Sequence, residues 1–249
     1  LGVNKIYIGT SGYHYAHWEG GVFYPTGLPK TKQLEYYTQF FDTVELNVTF
    51  YRLPAAKTFS SWYKRTPSNF IFAIKGSRYI THLKRLKEAK EPLERFFERV
   101  GQLKEKAGVI LWQLPPSFKC NLVRLEEFIL ALRPWWHYRH AFEFRHRSWF
   151  EQPVYELIAQ FKMTVCMADW PGLKVDVPSD FPFLYIRRHG PARERLYTGF
   201  YTTKEIAQDA AFIKTQYEAG KDVFIYFNND AFAHAIKNAL ELKKMLQLL

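Results

Sequence analysis

The chain has 249 residues, 47% of them apolar and 18% aromatic, with a formal net charge of +11 at neutral pH. The apolar and aromatic content suits a large globular core, while the absence of an apolar run long enough to span a bilayer argues against a membrane partner. The basic balance favours anionic partners, either a phosphorylated small molecule or nucleic acid.

Short β-rich runs alternate with helical patterns from end to end. The runs read as strands are Lys5–Thr10, Thr43–Asn47, Phe70–Lys75, Val109–Leu114, His140–Phe144, Thr164–Ala168, Phe183–Arg188 and Val223–Phe227. Apolar residues at helical spacing predict helices over Lys30–Phe41, Ala55–Arg65, Glu91–Lys106, Leu122–Leu132, Val154–Phe161, Thr203–Ala219 and Ala231–Leu248. Gly108 and Gly220 read as helix stops, and Thr203 with Glu205 as a helix start in which the acid stands one position short of a strict capping box. Pro116, Pro134, Pro153, Pro171 and Pro178 are assigned to connections. The stretch Trp170–Pro182 lacks a helical period and is rich in Pro, Gly and Asp, so a loop is expected to replace or shorten the sixth helix.

No composition shift or flexible linker divides the sequence, so a single domain over residues 1–249 is expected. The strand-then-helix repetition predicts an α/β fold, a (β/α)8 TIM-type barrel, with a doubly wound open sheet as the competing arrangement. No GxGxxG follows the first strand, which weakens the dinucleotide-binding form of that alternative. Cys120 and Cys166 form no CxxC pair, and Cys166 sits in an apolar run as a core residue would. Sparse cysteine and the lack of a signal-peptide pattern make the cytoplasm the expected location. Nothing in the sequence sets an oligomeric state.

Polar groups recur where apolar strands end. In His140-Ala-Phe-Glu-Phe-Arg145, alternation places Ala141, Glu143 and Arg145 on one face and Phe142 and Phe144 on the other. A carboxylate there is costly unless paired or used. The other strand ends carry Glu45 and Asn47, Lys75 with Arg78 and His82 nearby, Gln113, Asp169, Arg187 and His189, and Asn228-Asn229-Asp230. In a barrel such ends form the active-site face. Glu45, Glu143 and Asp169 are therefore the candidate catalytic carboxylates. Lys75, Arg78, His82, Arg145, Arg187 and His189 are candidates for holding an anion, and Asn47, Gln113 and Asn228 for orienting substrate or water. The same charges admit a second reading, a closed ion network in which Glu45, Glu143 and Asp169 neutralise Lys75, Arg145 and Arg187. A divalent metal is possible with such ligands, but no HExxH or comparable spacing is present, so a metal is not expected, and the sequence leaves any other cofactor unknown.

Gly9-Thr-Ser-Gly12 reads as a small anion-binding turn. Loop aromatics (Tyr13, Tyr15, Trp18, Phe50, Tyr51, Trp149 and Trp170) are either stacking surfaces for bases or sugars or a lid core, and Arg78, Lys84, Arg85, Arg188, Arg193 and Arg195 make the loops basic. His14, His17 and His234 read as surface or packing residues.

Several of these segments also carry a family likeness. Gly9-Thr-Ser-Gly-Tyr13 with Trp18 and Phe23-Tyr-Pro25, Val44-Glu-Leu-Asn47 through Thr49-Phe-Tyr-Arg-Leu-Pro54, and Phe72-Ala-Ile-Lys75 with Ile80-Thr-His82 are three of them. Gln113-Leu-Pro-Pro116, Glu143-Phe-Arg-His-Arg-Ser-Trp149, Arg188-His-Gly190 and Phe227-Asn-Asn-Asp230 are the others. Together they resemble the YecE-like family, number seventy-two in the domain-of-unknown-function series, across nearly the whole chain. Tyr13 stands where that family often has Trp. The resemblance implies a TIM-type barrel, similar in shape to the endonuclease IV and sugar-isomerase group, and with that shape a nucleic-acid role. The expectation is an enzyme acting on a phosphate-bearing or nucleic-acid substrate, hydrolase- or nuclease-like if catalytic. The alternatives are a carbohydrate hydrolase or isomerase and a non-catalytic nucleic-acid binder.

Overall fold

The structure, a computed structural model, describes residues 4–170, 172–173, 177–191 and 197–248. Arg193 and Arg195 of the basic loops, and Pro171, lie outside the described residues. The strands are β1 (Ile6–Thr10), β2 (Thr43–Leu46), β3 (Ile71–Lys75), β4 (Ala107–Gln113), β5 (Arg139–Glu143), β6 (Thr164–Val165), β7 (Met167–Ala168), β8 (Phe183–Arg188) and β9 (Asp222–Phe227). The α-helices are α1 (Gln33–Tyr37), α2 (Val48–Tyr51), α3 (Ala56–Lys64), α4 (Lys90–Val100), α5 (Leu122–Ala131), α6 (Gln152–Gln160), α7 (Thr203–Glu218) and α8 (His234–Met245). Two sheets form, ordered β1-β9-β8-β7 and β2-β3-β4-β5-β6. Every register described is parallel. Nearly all strand positions are buried on both faces, which explains their continuous apolar sequence.

The chain divides into two compact units, one of residues 1–45, 167–174 and 183–249, the other of residues 46–166 and 175–182. In the first unit β9 lies between β1 and β8, with Ile8 opposite Ile225 and Tyr185 opposite Phe224. In the second, Trp112 stands opposite Phe142 and Gln113 opposite Glu143. Trp112 packs on Phe96 and Phe128, and Phe142 also meets Phe128, so this parity of β4 and β5 faces α4 and α5. The other parity, including Gln113 and Glu143, is left for polar chemistry.

Local readings differ from the structure in several places. The predicted strand Thr164–Ala168 breaks at Cys166, because Thr164 and Val165 pair with β5 whereas Met167 and Ala168 pair with β8. Gly108 is not a helix stop: it is the second residue of β4. The preceding helix tightens to a 3-10 segment at Gly101–Lys106, where the buried Lys106 ammonium donates to the carbonyls of Tyr63 and Thr66 at 2.7 Å and draws the segment to the end of α3. The Lys30–Phe41 periodicity outruns its helix, since Phe41 still stacks on Tyr37 after the last helical residue. Pro134 and Pro153 lie in the first turns of a 3-10 segment and of α6, not in connections, because a first-turn residue has no intrahelical N–H bond to lose. The helix α7 starts at Thr203 as predicted, but its cap lies one residue before the Thr203 read as the start signal. Thr202 is the cap, and the Glu205 carboxylate accepts from its backbone N–H at 2.8 Å, a complete capping box. Thr202→Ala is expected to lower stability by about 1 kcal/mol, measurable as a shifted urea midpoint at unchanged slope. No described helix is long and apolar enough to cross a membrane.

Candidate functional site

The second unit brings Lys75, Arg78, His82, Gln113, Glu143 and Arg145 to the C-terminal ends of β3, β4 and β5. Thr49 of α2 fixes the end of β3 by donating its hydroxyl to the Lys75 carbonyl at 2.6 Å. The Lys75 ammonium lies 4.2 Å from the centre of the Phe50 ring, and that ring meets His82 edge-on at 4.9 Å. His82 is carried by a single π-helical turn, Tyr79–Leu83. Such turns interrupt ordinary helical hydrogen bonding and concentrate at functional positions. Its Nδ1 lies 2.9 Å from the Thr81 hydroxyl.

Glu143 is fully buried, and its Oε1 accepts from Gln113 Nε2 at 3.2 Å and from Arg145 Nε at 2.8 Å. The first bond follows from register; the second follows from the two-residue repeat read in the sequence. Burial pushes the His82 imidazole down to about 4, reinforced by Lys75, Arg145 and Arg78 and opposed by Glu143. Three cations thus act on one half-buried imidazole against one carboxylate, leaving His82 neutral near pH 7. Asn47, at the start of α2, has its Oδ1 out of solvent and without a hydrogen-bond partner among the described residues.

The first unit holds Glu45, Asp169, Arg187, His189 and Asn228. Glu45 and Arg187 are at most 1% exposed. Glu45 Oε1 accepts from Arg187 and from the Ser11 hydroxyl, both at 2.7 Å, and Oε2 accepts from Tyr185 at 2.6 Å. Burial, then the adjacent Glu45 charge, raises the Tyr185 phenol well above its usual range, so it remains a donor. The Gly9–Gly12 turn therefore spends its serine on a carboxylate of the protein. Asp169 accepts from the His189 backbone N–H at 2.6 Å and from the Tyr201 hydroxyl, which itself accepts from the Gly190 N–H. Asn228 donates to His189 Nδ1 at 3.1 Å, which puts the ring proton on Nε2. Gly190 has φ +114°, and a Cβ there would lie 2.1 Å from the Thr198 carbonyl oxygen, so only glycine fits this turn.

Several loop readings change. Arg188 ends β8 instead of lying in a basic loop, and forms a two-pronged pair with Asp209 of α7. Trp18 and Trp149 are fully buried and are not stacking surfaces: each indole N–H is committed, to Asp230 at 2.7 Å and to the Phe118 carbonyl at 2.6 Å. Tyr51 alone of the named rings is strongly exposed, at 70%. His17 pairs with Asp230 at 2.8 Å, and burial moves that carboxyl up to about 6. Tyr185 was not among the predicted site residues, although alternation puts it on the Arg187 face of β8; Tyr201 and Asp209 sit on other elements and had no local signal. Among the described residues no three His, Cys, Asp or Glu side chains gather as a metal centre would.

Residues 7–249 match the model of the family described as Protein of unknown function DUF72. The chain is 29% identical to the UPF0759 protein YunF of Bacillus subtilis, over 98% of this chain and 94% of that one. It is 30% identical to the UPF0759 protein YecE of Escherichia coli K12, over 47% of this chain and 43% of that one. Among solved structures, a DUF72 family protein from Thermotoga maritima superposes with a TM-score of 0.84 at 31% identity, covering 98% of this chain and all of that one. A 3-keto-L-gulonate-6-phosphate decarboxylase from Vibrio cholerae shares the fold alone, with a TM-score of 0.55 at 12% identity over 98% of each chain. The chain belongs to the DUF72 family of proteins of unknown function.

Proposed function

We propose that the chain is a single-domain (β/α)8-type enzyme that binds a phosphate-bearing substrate at the ends of β3, β4 and β5. The fold reading is supported by the all-parallel registers and by the distant TIM-barrel neighbour. The functional reading is carried by one observation: at the ends of β3 and β5 the Lys75 ammonium and His82 share the Phe50 ring and Arg145 is held by Glu143, and there Lys75, Arg78 and Arg145 all disfavour a charged His82 while Glu143 opposes them. Cations collected at a strand end, on a rigid parallel sheet, make a site for an anion. Arg145, oriented by Glu143, contributes its guanidinium charge to holding a phosphate oxygen. His82, neutral and half-buried, is the proton acceptor, a role that fits an imidazole with its charge suppressed. Glu143, buried and bonded to Gln113 and Arg145, positions Arg145.

The His82 titration tests this reading, followed by NMR with and without inorganic phosphate. A bound phosphate anion offsets the field of the three cations, so the imidazole pKa is expected to rise from about 4 toward the ordinary value of 6.5. Lys75→Met is expected to raise it without ligand and to weaken phosphate binding at least tenfold. An unchanged His82 titration at saturating phosphate would refute the assignment.

A further inference from the structure

We propose that the loops after β3 and β4, with the first turn of α5, form a second anion-binding surface, centred on Phe118, that takes the backbone of single-stranded nucleic acid. The inference deepens the phosphate-substrate reading by naming a class of substrate. Arg85 and Arg124 come from different segments, yet their guanidinium carbons lie 6.0 and 5.4 Å from the centre of the same Phe118 ring. The ring is an immobile base. It is 4% exposed, it meets Trp149 edge-on at 5.4 Å, and Trp149 stacks on Phe144 at 4.7 Å. An arginine resting on a ring keeps its N–H edges available for phosphate oxygens.

Neither guanidinium has a carboxylate partner among the described residues, whereas neighbouring cations do: Lys84 pairs with Glu88 and Arg95 with Glu91. The backbone that presents Arg85 is strained. Arg85, Leu86 and Glu88 all have left-handed φ, at 48°, 70° and 45°. Each such residue costs about 1 kcal/mol. Leu86 holds the turn in place through a 3%-exposed side chain and a 2.9 Å bond from its N–H to the Ile80 carbonyl. Between the 86–89 turn and α5 runs an open groove of about 520 Å³ lined by Lys87, Asn121 and Arg124, along with Glu88 and Glu127.

The arginine pair lies over Phe118 whereas Lys75 lies over Phe50, so the unit offers two groups of cations for phosphates. A chain with repeated phosphates uses both; a monophosphate uses one. Tyr79, 46% exposed on the turn that carries His82, supplies a ring for a base, with the Lys84 ammonium 5.9 Å from its centre. Rings set among basic groups suit single strands, whose base faces are free, over duplexes, whose base faces are stacked.

The test is fluorescence anisotropy with a labelled oligothymidylate and with a duplex of the same length, across a salt series. Single-strand binding that weakens with salt is expected. The double variant Arg85→Ala with Arg124→Ala should lose at least tenfold in affinity and about 1.4 from the log–log salt slope, near 0.7 for each phosphate contact. Tyr79→Ala should weaken binding and leave the slope intact. Equal affinity for the duplex, or an unchanged slope in the double variant, would overturn the proposal. The His82 response to phosphate separates the two readings: if it persists while the oligonucleotide fails to bind, only the single-strand inference falls. If phosphate leaves His82 unmoved, the parent reading falls.

Discussion

Glu45→Ala will destabilise the protein by about 3–5 kcal/mol, the cost of leaving a buried arginine without its carboxylate. Arg187 is 1% exposed and reaches Glu45 at 2.7 Å, and no solvent is available to take over the lost charge. The same change also strands the Tyr185 and Ser11 hydroxyls, which both donate to that carboxylate. The paired change Glu45→Leu with Arg187→Met removes both charges, and is expected to be less damaging than Glu45→Ala alone. Equilibrium urea unfolding of the three proteins measures this. A loss below about 1 kcal/mol in Glu45→Ala would mean that the buried ion network contributes little and that Glu45 is held for its chemistry instead.

That comparison addresses an ambiguity the sequence could not resolve. Alternation places Glu45, Glu143 and Arg187 on polar strand faces, but it cannot say whether a buried charge is satisfied or waiting. The answer lies in register and in residues far along the chain: Tyr185 is 140 positions from the carboxylate it serves. Strand ends were legible because both-face burial writes continuous apolar runs, and Phe183–Arg188 has the bounds its sequence predicts. The Cys166 break was not, because the residues on either side of it are equally apolar and only their different partners divide the strand. His82 was legible as a residue near the third strand end. The π turn that carries it was not, since that geometry comes from tertiary packing and not from local propensity. Arg188 was read both as the end of β8 and as a loop cation; only the first holds, and its pairing with Asp209 of α7 had no local signal.

The second large effect concerns acid, and it reaches the candidate site through β4 and β5. His140 is 1% exposed, and its Nδ1 accepts from the Trp112 indole N–H at 3.1 Å. Nε2 therefore carries the proton and donates to the Trp135 carbonyl at 3.0 Å. Burial pushes this imidazole down to about 4, from its ordinary value of 6.5, with the Trp135 bond opposing. A base whose folded pKa is depressed contributes stability that is present above its unfolded value and is lost as pH falls through the folded one. The window is pH 6.5 to about 4, and the full loss is about 3 kcal/mol. His140→Phe removes the titration but strands the Trp112 N–H and the Trp135 carbonyl, so the variant is weaker at pH 7 by about 2–4 kcal/mol. The gap between wild type and variant should then close by about 3 kcal/mol on going from pH 7 to pH 4. Other titrating groups, His82 included, are common to both proteins and cancel in the difference. Trp112 and His140 each stand within three residues of Gln113 and Glu143, whose pairing depends on the same register. A gap that stays constant across the window would show that His140 titrates normally and that the β4–β5 pairing is indifferent to it.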